Sequence, residues 1–98
     1  MEPAVDDQTV LSATLTPEPD AVVEESDDEL LVYNPRTDGT VYLNGTAALI
    51  WRLLDGRRNG DDIVGMLVSA YPDAADRVRD DTMTALQDFV ARGIARRA

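Results

Sequence analysis

The strongest constraint on the fold of this chain is the run from Glu29 to Gly56, in which two strand-like segments lead directly into an amphipathic helix. In the first segment, Leu30 to Asn34, apolar side chains alternate between two faces, which is the period of a strand. The Asp38-Gly39 pair then favours a tight turn before the second segment, Thr40 to Leu43. The pattern predicts an antiparallel hairpin joined to a helix.

One more strand-like segment precedes this hairpin, and three helical segments follow it. Ala21 to Ser26 predicts the first strand, which an acidic turn joins to the hairpin. Helices are predicted near residues 44–56, 59–72 and 74–92, where apolar side chains recur every three or four positions. This order predicts a small α+β domain, a three-stranded antiparallel sheet followed by three helices, with one face of the sheet buried on the helices.

Residues that favour helix ends bound each helical segment. Asn44 and Asn59 are good N-caps, and Asp62 stands three residues after Asn59, as in a capping box. Residues that favour termination follow the three helices in turn: Gly56, Pro72 and Gly93.

The apolar stripes of the helices predict which sides are buried. The first two helices are expected to bury Ala47, Ile50, Trp51, Leu54, Ile63, Leu67, Ala70 and Tyr71. The third is expected to bury Val78, Ala85, Leu86 and Phe89, with Met83 and Val90 on the flank of that stripe. Trp51 and Tyr33 are both expected in the core, because an aromatic side chain within an apolar pattern is usually buried.

Charge divides the chain into two regions. Residues 1–29 carry ten acidic side chains and no basic one, whereas residues 30–98 carry nine acidic side chains and nine arginines. The composition of residues 1–20 predicts a mostly flexible acidic arm ahead of a folded domain over residues 21–98. Val10 to Thr16 is an exception, since its side chains alternate as in a strand, although no pairing partner is evident.

The composition argues against catalysis. The chain has no His, Cys or Lys, so its serines lack a base to activate them, and we expect a protein that is not an enzyme. The acidic pairs at 61–62 and 80–81 lie near helix starts, where the helix dipole favours them, so no metal and no cofactor is expected. No signal peptide or membrane span is evident, which predicts a cytoplasmic protein without membrane contact.

The two outer strands of the predicted sheet differ in a way that points to binding. Acidic residues at 24, 25 and 27–29 interrupt and flank the first strand, and such charges discourage pairing with another chain. Thr40 to Leu43 carries no charge and no proline, so its edge is unguarded. We expect this edge to accept a further strand, supplied by a ligand, by the N-terminal arm of the chain or by a second copy.

Several segments, taken in order, resemble a known family. They are the strand ending Tyr42-Leu43-Asn44, the helix AALIW with Leu54-Asp55-Gly56, and the closing Leu86, Phe89, Val90 and Gly93. Over roughly residues 19–94 the chain is similar to the pyrroloquinoline quinone biosynthesis protein D family, also called the RiPP precursor peptide recognition element. The resemblance implies a winged-helix-like fold that binds the leader segment of a ribosomally made precursor peptide.

The resemblance also implies how the leader is bound and used. In that family the leader adds as a strand beside the third strand and lies in a groove against the third helix. It is thereby presented to a separate modifying enzyme, such as a radical SAM enzyme, a cyclodehydratase, a dehydratase or a leader peptidase. The chain departs from the family in its long acidic N-terminus and in Asn59-Gly60, where many relatives have Thr at the cap.

The family's peptide-binding positions can be transferred residue by residue. The pairing strand corresponds to Thr40, Val41, Tyr42 and Leu43. The groove side of the third helix corresponds to Met83, Leu86 and Val90, with Arg79 and Gln87 at its margins.

Two alternatives share the same fold class. A winged-helix regulator would bind DNA, but that needs Lys or Arg clustered on one face, whereas acidic residues match the arginines here, so no nucleic-acid partner is expected. A general docking module would recruit an enzyme without binding a leader, and the acidic arm would steer a basic partner.

Overall fold

The computed structural model describes residues 7–43 and 45–98 and confirms the mixed α+β fold. In chain order the elements are α1 (Asp7–Ser12), β1 (Leu15–Pro17), β2 (Val22–Ser26), β3 (Glu29–Asn34), β4 (Gly39–Leu43), α2 (Gly45–Arg52), α3 (Gly60–Ala70), a 3-10 turn (Pro72–Ala74), α4 (Ala75–Ala91) and β5 (Ala95–Arg97). The three predicted strands correspond to β2, β3 and β4, and the three predicted helices to α2, α3 and α4.

The main sheet is an antiparallel meander in which β2, β3 and β4 are neighbours in that order. Leu30 pairs with Leu43 and Val32 with Val41, and all four side chains are buried against the helices. The alternate residues of β3 and β4, among them Leu31 and Tyr42, lie on the opposite, exposed face. The predicted alternation of β3 is therefore confirmed.

The core lies between the inner face of this sheet and α2, α3 and α4. Trp51 of α2 meets Phe89 of α4 in an edge-to-face contact, with ring centroids 5.4 Å apart and an interplanar angle of 87°. Such a geometry places the positive edge of one ring against the negative face of the other. Phe89 is 1% exposed and Trp51 5%, so both rings are in the core, as predicted for Trp51.

The caps of α3 and α4 follow the sequence signals. The Asp62 amide donates to Asn59 Oδ1 at 2.8 Å, and the Asn59 amide donates to Asp62 Oδ2 at 3.0 Å, which completes the predicted capping box. Beyond α4, Gly93 has a φ of 75°, and the amides of Gly93 and Ile94 donate to Val90 and Phe89. These bonds form a Schellman motif. The predicted cap Asn44 lies outside the described residues.

The N-terminal segment differs from the sequence-based expectation. Residues 10–12 belong to α1 rather than to a strand, and the strand that follows, β1, covers only residues 15–17. Val10, Leu11 and Leu15 are at most 2% exposed, so they belong to the core and not to a flexible arm. The partner of β1 is β5, at the other end of the chain.

This pairing was missed because its two strands are short and nearly the whole chain separates them. Three residues are too few to show a strand period, and β5 consists of Ala95 and two arginines. The apolar side chains of residues 10–15 nevertheless need a buried place, and they find it because α1 packs against α3 and α4.

Smaller corrections concern individual side chains. Ala70 and Tyr71 were expected on the buried side of α3, but both are exposed, Tyr71 to 55%. Tyr33 lies on the outer face of the sheet and is 36% exposed, so it is not a core residue. On α2, Ala48 is buried and Ala47 only half-buried. Within residues 7–43 and 45–98, no helix is long and apolar enough to cross a bilayer.

Gly60 gives a test of how α1 docks. A Cβ added to Gly60 would lie 2.7 Å from Leu11 Cα and 2.9 Å from the Leu11 carbonyl oxygen. Because these are backbone atoms, α1 must move, and we expect Gly60→Ala to lower the free energy of unfolding by about 1–3 kcal/mol. Urea denaturation followed by circular dichroism measures this change.

Gly65 is the matched control on the same helix. Its added Cβ would meet no atom within 4 Å, so Gly65→Ala should raise the free energy of unfolding by about 0.5–1 kcal/mol through helix propensity. Similar stabilisation by both substitutions would contradict the close packing of α1 on α3.

Candidate functional site

The candidate site begins at strand β4, which lies at one edge of the main sheet. Within the described part of the chain, β3 is the strand that borders β4, and no strand borders its other edge. Val41 and Leu43 point into the core, whereas Thr40 and Tyr42 are exposed. Residues 14–17 do not occupy this edge, because β1 pairs with β5 and Thr14 forms a bridge with Asn59.

A groove of about 420 Å³ runs beside β4. One wall is formed by the end of β4 and the start of α2, and the other by one flank of α4. The residues that line it are Tyr42, Leu43, Gly45, Thr46, Ala47, Asp81, Thr84, Ala85, Asp88 and Phe89. We call this feature the β4–α4 groove.

The α4 flank that lines this groove is not the flank transferred from the family resemblance. Because successive helical residues turn by about 100°, positions 81, 84 and 88 lie within about 60° of one another around α4. The five positions transferred from the family are centred about 150° away from these three around the helix axis. They are positions 79, 83, 86, 87 and 90. None of these five lines the groove, whereas Tyr42 and Leu43 do.

The surroundings of the transferred residues explain this difference. Leu86 is 1% exposed, and its Cδ1 lies 3.0 Å from the Cβ position of Gly60, at the junction with α1 and α3. Arg79 pairs with Asp61 at the start of α3, with 3.8 Å between Nη1 and Oδ1. Met83 and Val90 are half-buried and pack on the core. Gln87, also half-buried, completes this covered flank of α4.

Sequence reasoning missed the residues that do line the groove on α4. Asp81, Thr84 and Asp88 are polar, and a polar helix flank ordinarily indicates contact with solvent. One feature of the sequence could have indicated this flank of α4: the small Ala85 lies at the margin of the buried stripe, next to Thr84. Small side chains on one flank leave room beside a neighbouring strand.

A buried amide holds the sheet against the end of α4. Asn34, 3% exposed at the end of β3, donates from Nδ2 to the Gly93 carbonyl oxygen at 2.6 Å. Its Oδ1 accepts from the Arg36 amide at 2.9 Å, which orders the turn that leads into β4. The bond therefore joins the hairpin to the end of α4 and holds the start of β4 beside that helix.

The groove carries negative charge on its helical wall. Asp88 Oδ1 accepts from Arg92 Nε at 2.8 Å, which offsets the charge of that carboxylate. Asp81 is half-buried, and no ion pair joins it to an arginine of the described residues. Among all the described residues, no three acidic side chains lie close enough together to bind a metal ion.

The outer face of the sheet is a second exposed feature. Val22, Leu31, Tyr33 and Tyr42 are all at least 36% exposed, and pairing across the strands brings Val22 beside Tyr33 and Leu31 beside Tyr42. The Tyr33 hydroxyl donates to Asp38 Oδ1 at 3.0 Å. This bond and the negative charge of Asp38 raise the pKa of Tyr33 above its usual range. Acidic residues of β2 border this apolar face.

A three-stranded meander backed by three helices, with one uncharged edge beside a helical groove, defines a small winged-helix-like domain. The family model described as coenzyme PQQ synthesis protein D (PqqD) matches residues 29–95. Since the match covers more than half of the chain, the chain belongs to the PqqD family.

A solved structure shares the fold. "TbiB1 in Complex with the TbiA(beta) Leader Peptide" superposes with a TM-score of 0.71 at 20% sequence identity, covering 82% of this chain and 93% of that one. At this level of identity the similarity shows the fold. None of the curated proteins matches the sequence.

Loss of the Asn34 amide should destabilise the fold. Asn34→Ala leaves the half-buried Gly93 carbonyl without its side-chain donor, so we expect the free energy of unfolding to fall by about 1–3 kcal/mol. Thermal denaturation compares it with Thr37→Ala. This change removes an exposed hydroxyl whose hydrogen bonds, to the Asn34 carbonyl oxygen at 3.5 Å and from the Gly39 amide at 3.3 Å, stay within the turn and do not reach α4, so stability should change by less than about 1 kcal/mol. An equal effect of both substitutions would show that the contact with α4 adds nothing.

Proposed function

We propose that this chain binds the leader segment of a ribosomally synthesised precursor peptide by adding the leader as a strand to β4. The observation that carries this proposal is the uncharged edge of β4 beside the β4–α4 groove. An exposed strand edge offers backbone hydrogen bonds, and a neighbouring groove selects alternate side chains. Membership of the PqqD family supports it, as does the leader peptide bound to TbiB1.

The alternation of strand side chains divides the contacts of such a leader between two surfaces. Side chains on its inner face enter the groove, where they meet Thr84 and Ala85. Side chains on its outer face lie next to Thr40 and Tyr42, which are exposed on that side. We therefore retain Thr40 to Leu43 as the pairing strand and assign the helical contacts to the groove flank of α4.

We further propose that the protein is not a catalyst and presents the leader to a separate enzyme. The sequence has no His, Cys or Lys, so it offers no thiol or amine nucleophile, and its serines lack the usual activating base. The enzyme would be a radical SAM enzyme, a cyclodehydratase, a dehydratase or a leader peptidase, as the family resemblance implies.

Docking of an enzyme is also the second candidate function, and one observation favours it. The exposed apolar residues on the outer face of the sheet lie next to the acidic residues of β2. An apolar area with a charged border is typical of protein interaction sites. A partner with an apolar surface and basic residues around it would complement this face.

DNA binding is not supported by the arrangement of the arginines. Ion pairs join Arg36 to Asp20, Arg52 to Glu25, Arg58 to Asp55, Arg79 to Asp61, Arg92 to Asp88 and Arg96 to Glu18. Phosphate binding needs several unopposed cations on one face. These arginines are spread over several elements, and each already has a carboxylate within 4.0 Å.

Backbone methylation of the leader tests strand addition. In an antiparallel ladder the amides of an added strand point alternately toward its neighbour and away from it. Methylating the amides of a synthetic leader one at a time should therefore lower affinity at least tenfold at every second position and only slightly at the others. Fluorescence anisotropy measures this pattern with the leader of a precursor peptide identified by a search of the neighbouring genes. A uniform response along the peptide would contradict strand addition.

A pair of α4 variants tests which flank of the helix binds. Thr84→Trp fills the β4–α4 groove, so we expect at least tenfold weaker leader binding, with a circular dichroism spectrum that shows an intact fold. Arg79→Ala removes an exposed ion pair on the other flank, which is worth less than about 1 kcal/mol, and should leave affinity within twofold. If Arg79→Ala loses binding and Thr84→Trp does not, the leader binds the flank of α4 that was transferred from the family, and not the groove flank.

A further inference from the structure

A second cavity, larger than the β4–α4 groove, lies between α2 and the junction of α3 with α4. Its volume is about 520 Å³. The residues that line it are Asp28, Gly45, Thr46, Leu49, Arg52, Leu67, Tyr71, Ala74, Arg77, Val78 and Asp81. We call it the α2–α4 cavity, and neither the strand edge nor the groove accounts for it.

The floor of this cavity is apolar and its shape is fixed by the core. Leu67 and Val78 are at most 7% exposed, and half-buried Leu49 and Ala74 complete the floor. Tyr71 stands at the rim with 55% of its surface exposed. Its amide donates to the Leu67 carbonyl oxygen at 2.8 Å, which fixes the backbone of Tyr71 at the end of α3. An exposed aromatic ring beside an apolar pocket is a common feature of binding sites.

The charges at the rim oppose one another. Arg52 and Arg77 line the cavity together with Asp28 and Asp81, so two cations face two carboxylates. Arg52 is also 3.8 Å from Glu25. Because no sign of charge predominates, the apolar floor is the feature that would select an occupant.

The cavity is continuous with the β4–α4 groove. Gly45, Thr46 and Asp81 line both. Strand β4 ends at Leu43, two residues before Gly45 at the start of α2, so a peptide lying along β4 reaches the cavity at the C-terminal end of that strand. One extended ligand can therefore occupy both.

The direction of the added strand decides which part of the ligand arrives there. Both pairs of the meander are antiparallel, and a further antiparallel strand continues this arrangement. Such a strand runs opposite to β4, so its N-terminal end lies at the α2–α4 cavity and its C-terminal end near Gly39. The residues that reach the cavity are then those that precede the pairing segment.

From this continuity we infer that the α2–α4 cavity is an anchor site for the leader, which takes a bulky apolar or aromatic side chain N-terminal to the segment that pairs with β4. This inference rests on the proposed function. The cavity would be a second point of recognition, with room for one large side chain of the leader and parts of its neighbours. Tyr71 would contact that large side chain directly.

The experiment measures the affinity of two fluorescein-labelled synthetic peptides by anisotropy. They are the full leader of a precursor peptide identified by a search of the neighbouring genes and the same leader shortened to begin at its pairing segment. We expect the shortened peptide to bind at least tenfold more weakly to the natural protein. Tyr71→Ala should weaken the full leader about tenfold and leave the shortened one unchanged.

Met66→Ala is the matched control, because Met66 is also an exposed apolar residue of α3, at 41%, but does not line the cavity. It should change the affinity of neither peptide. If the two peptides bind equally well and Tyr71→Ala has no effect, the anchor site is refuted while leader binding stands. Equal losses in Tyr71→Ala and Met66→Ala also refute it. If neither peptide binds the natural protein, the proposed function fails and the anchor site with it.

Discussion

The contact between the rings of Trp51 and Phe89 is the interaction on which the site depends. Trp51 fixes α2 and Phe89 fixes α4, so their edge-to-face packing sets the separation of the two helices. Phe89 also lines the β4–α4 groove, which makes the floor of the candidate site part of the core. A groove built on packed aromatic rings keeps its shape without a ligand, because protein interiors are dense and their side chains occupy defined rotamers.

The two flanks of α4 have opposite surroundings, and this asymmetry defines the site. On one flank, α1 and α3 pack against the helix, and Leu86 meets Gly60 there. On the other flank, small and polar side chains face β4 and leave the groove between them. Only a glycine allows the backbone of α1 to lie so close to α3.

Local sequence signals predicted the meander, the capping box at Asn59 and Asp62 and the strand edge, because each depends on neighbouring residues. They did not predict the pairing of β1 with β5, which joins segments that are distant in the chain. They also gave no means of choosing the open flank of α4. That choice depends on where α1 docks, whereas positions 83, 86 and 90 were transferred from the family resemblance, which carries no information about α1.

The pairing of β1 with β5 ties together segments from opposite ends of the described chain. Leu15 lies opposite Arg97, and the Ala98 amide donates to the Thr14 carbonyl oxygen at 2.9 Å. Forming this tie closes a loop of nearly the whole chain, whereas the meander and the helices form between neighbouring segments. The strands pair over only three residues, and the Ala98 and Glu18 amides add one backbone bond at each end, so we expect the tie to open at a lower free-energy cost than the three-stranded sheet. The walls of the groove come from one continuous stretch, β4 to α4, so the ends of the domain can separate and rejoin while the groove remains intact.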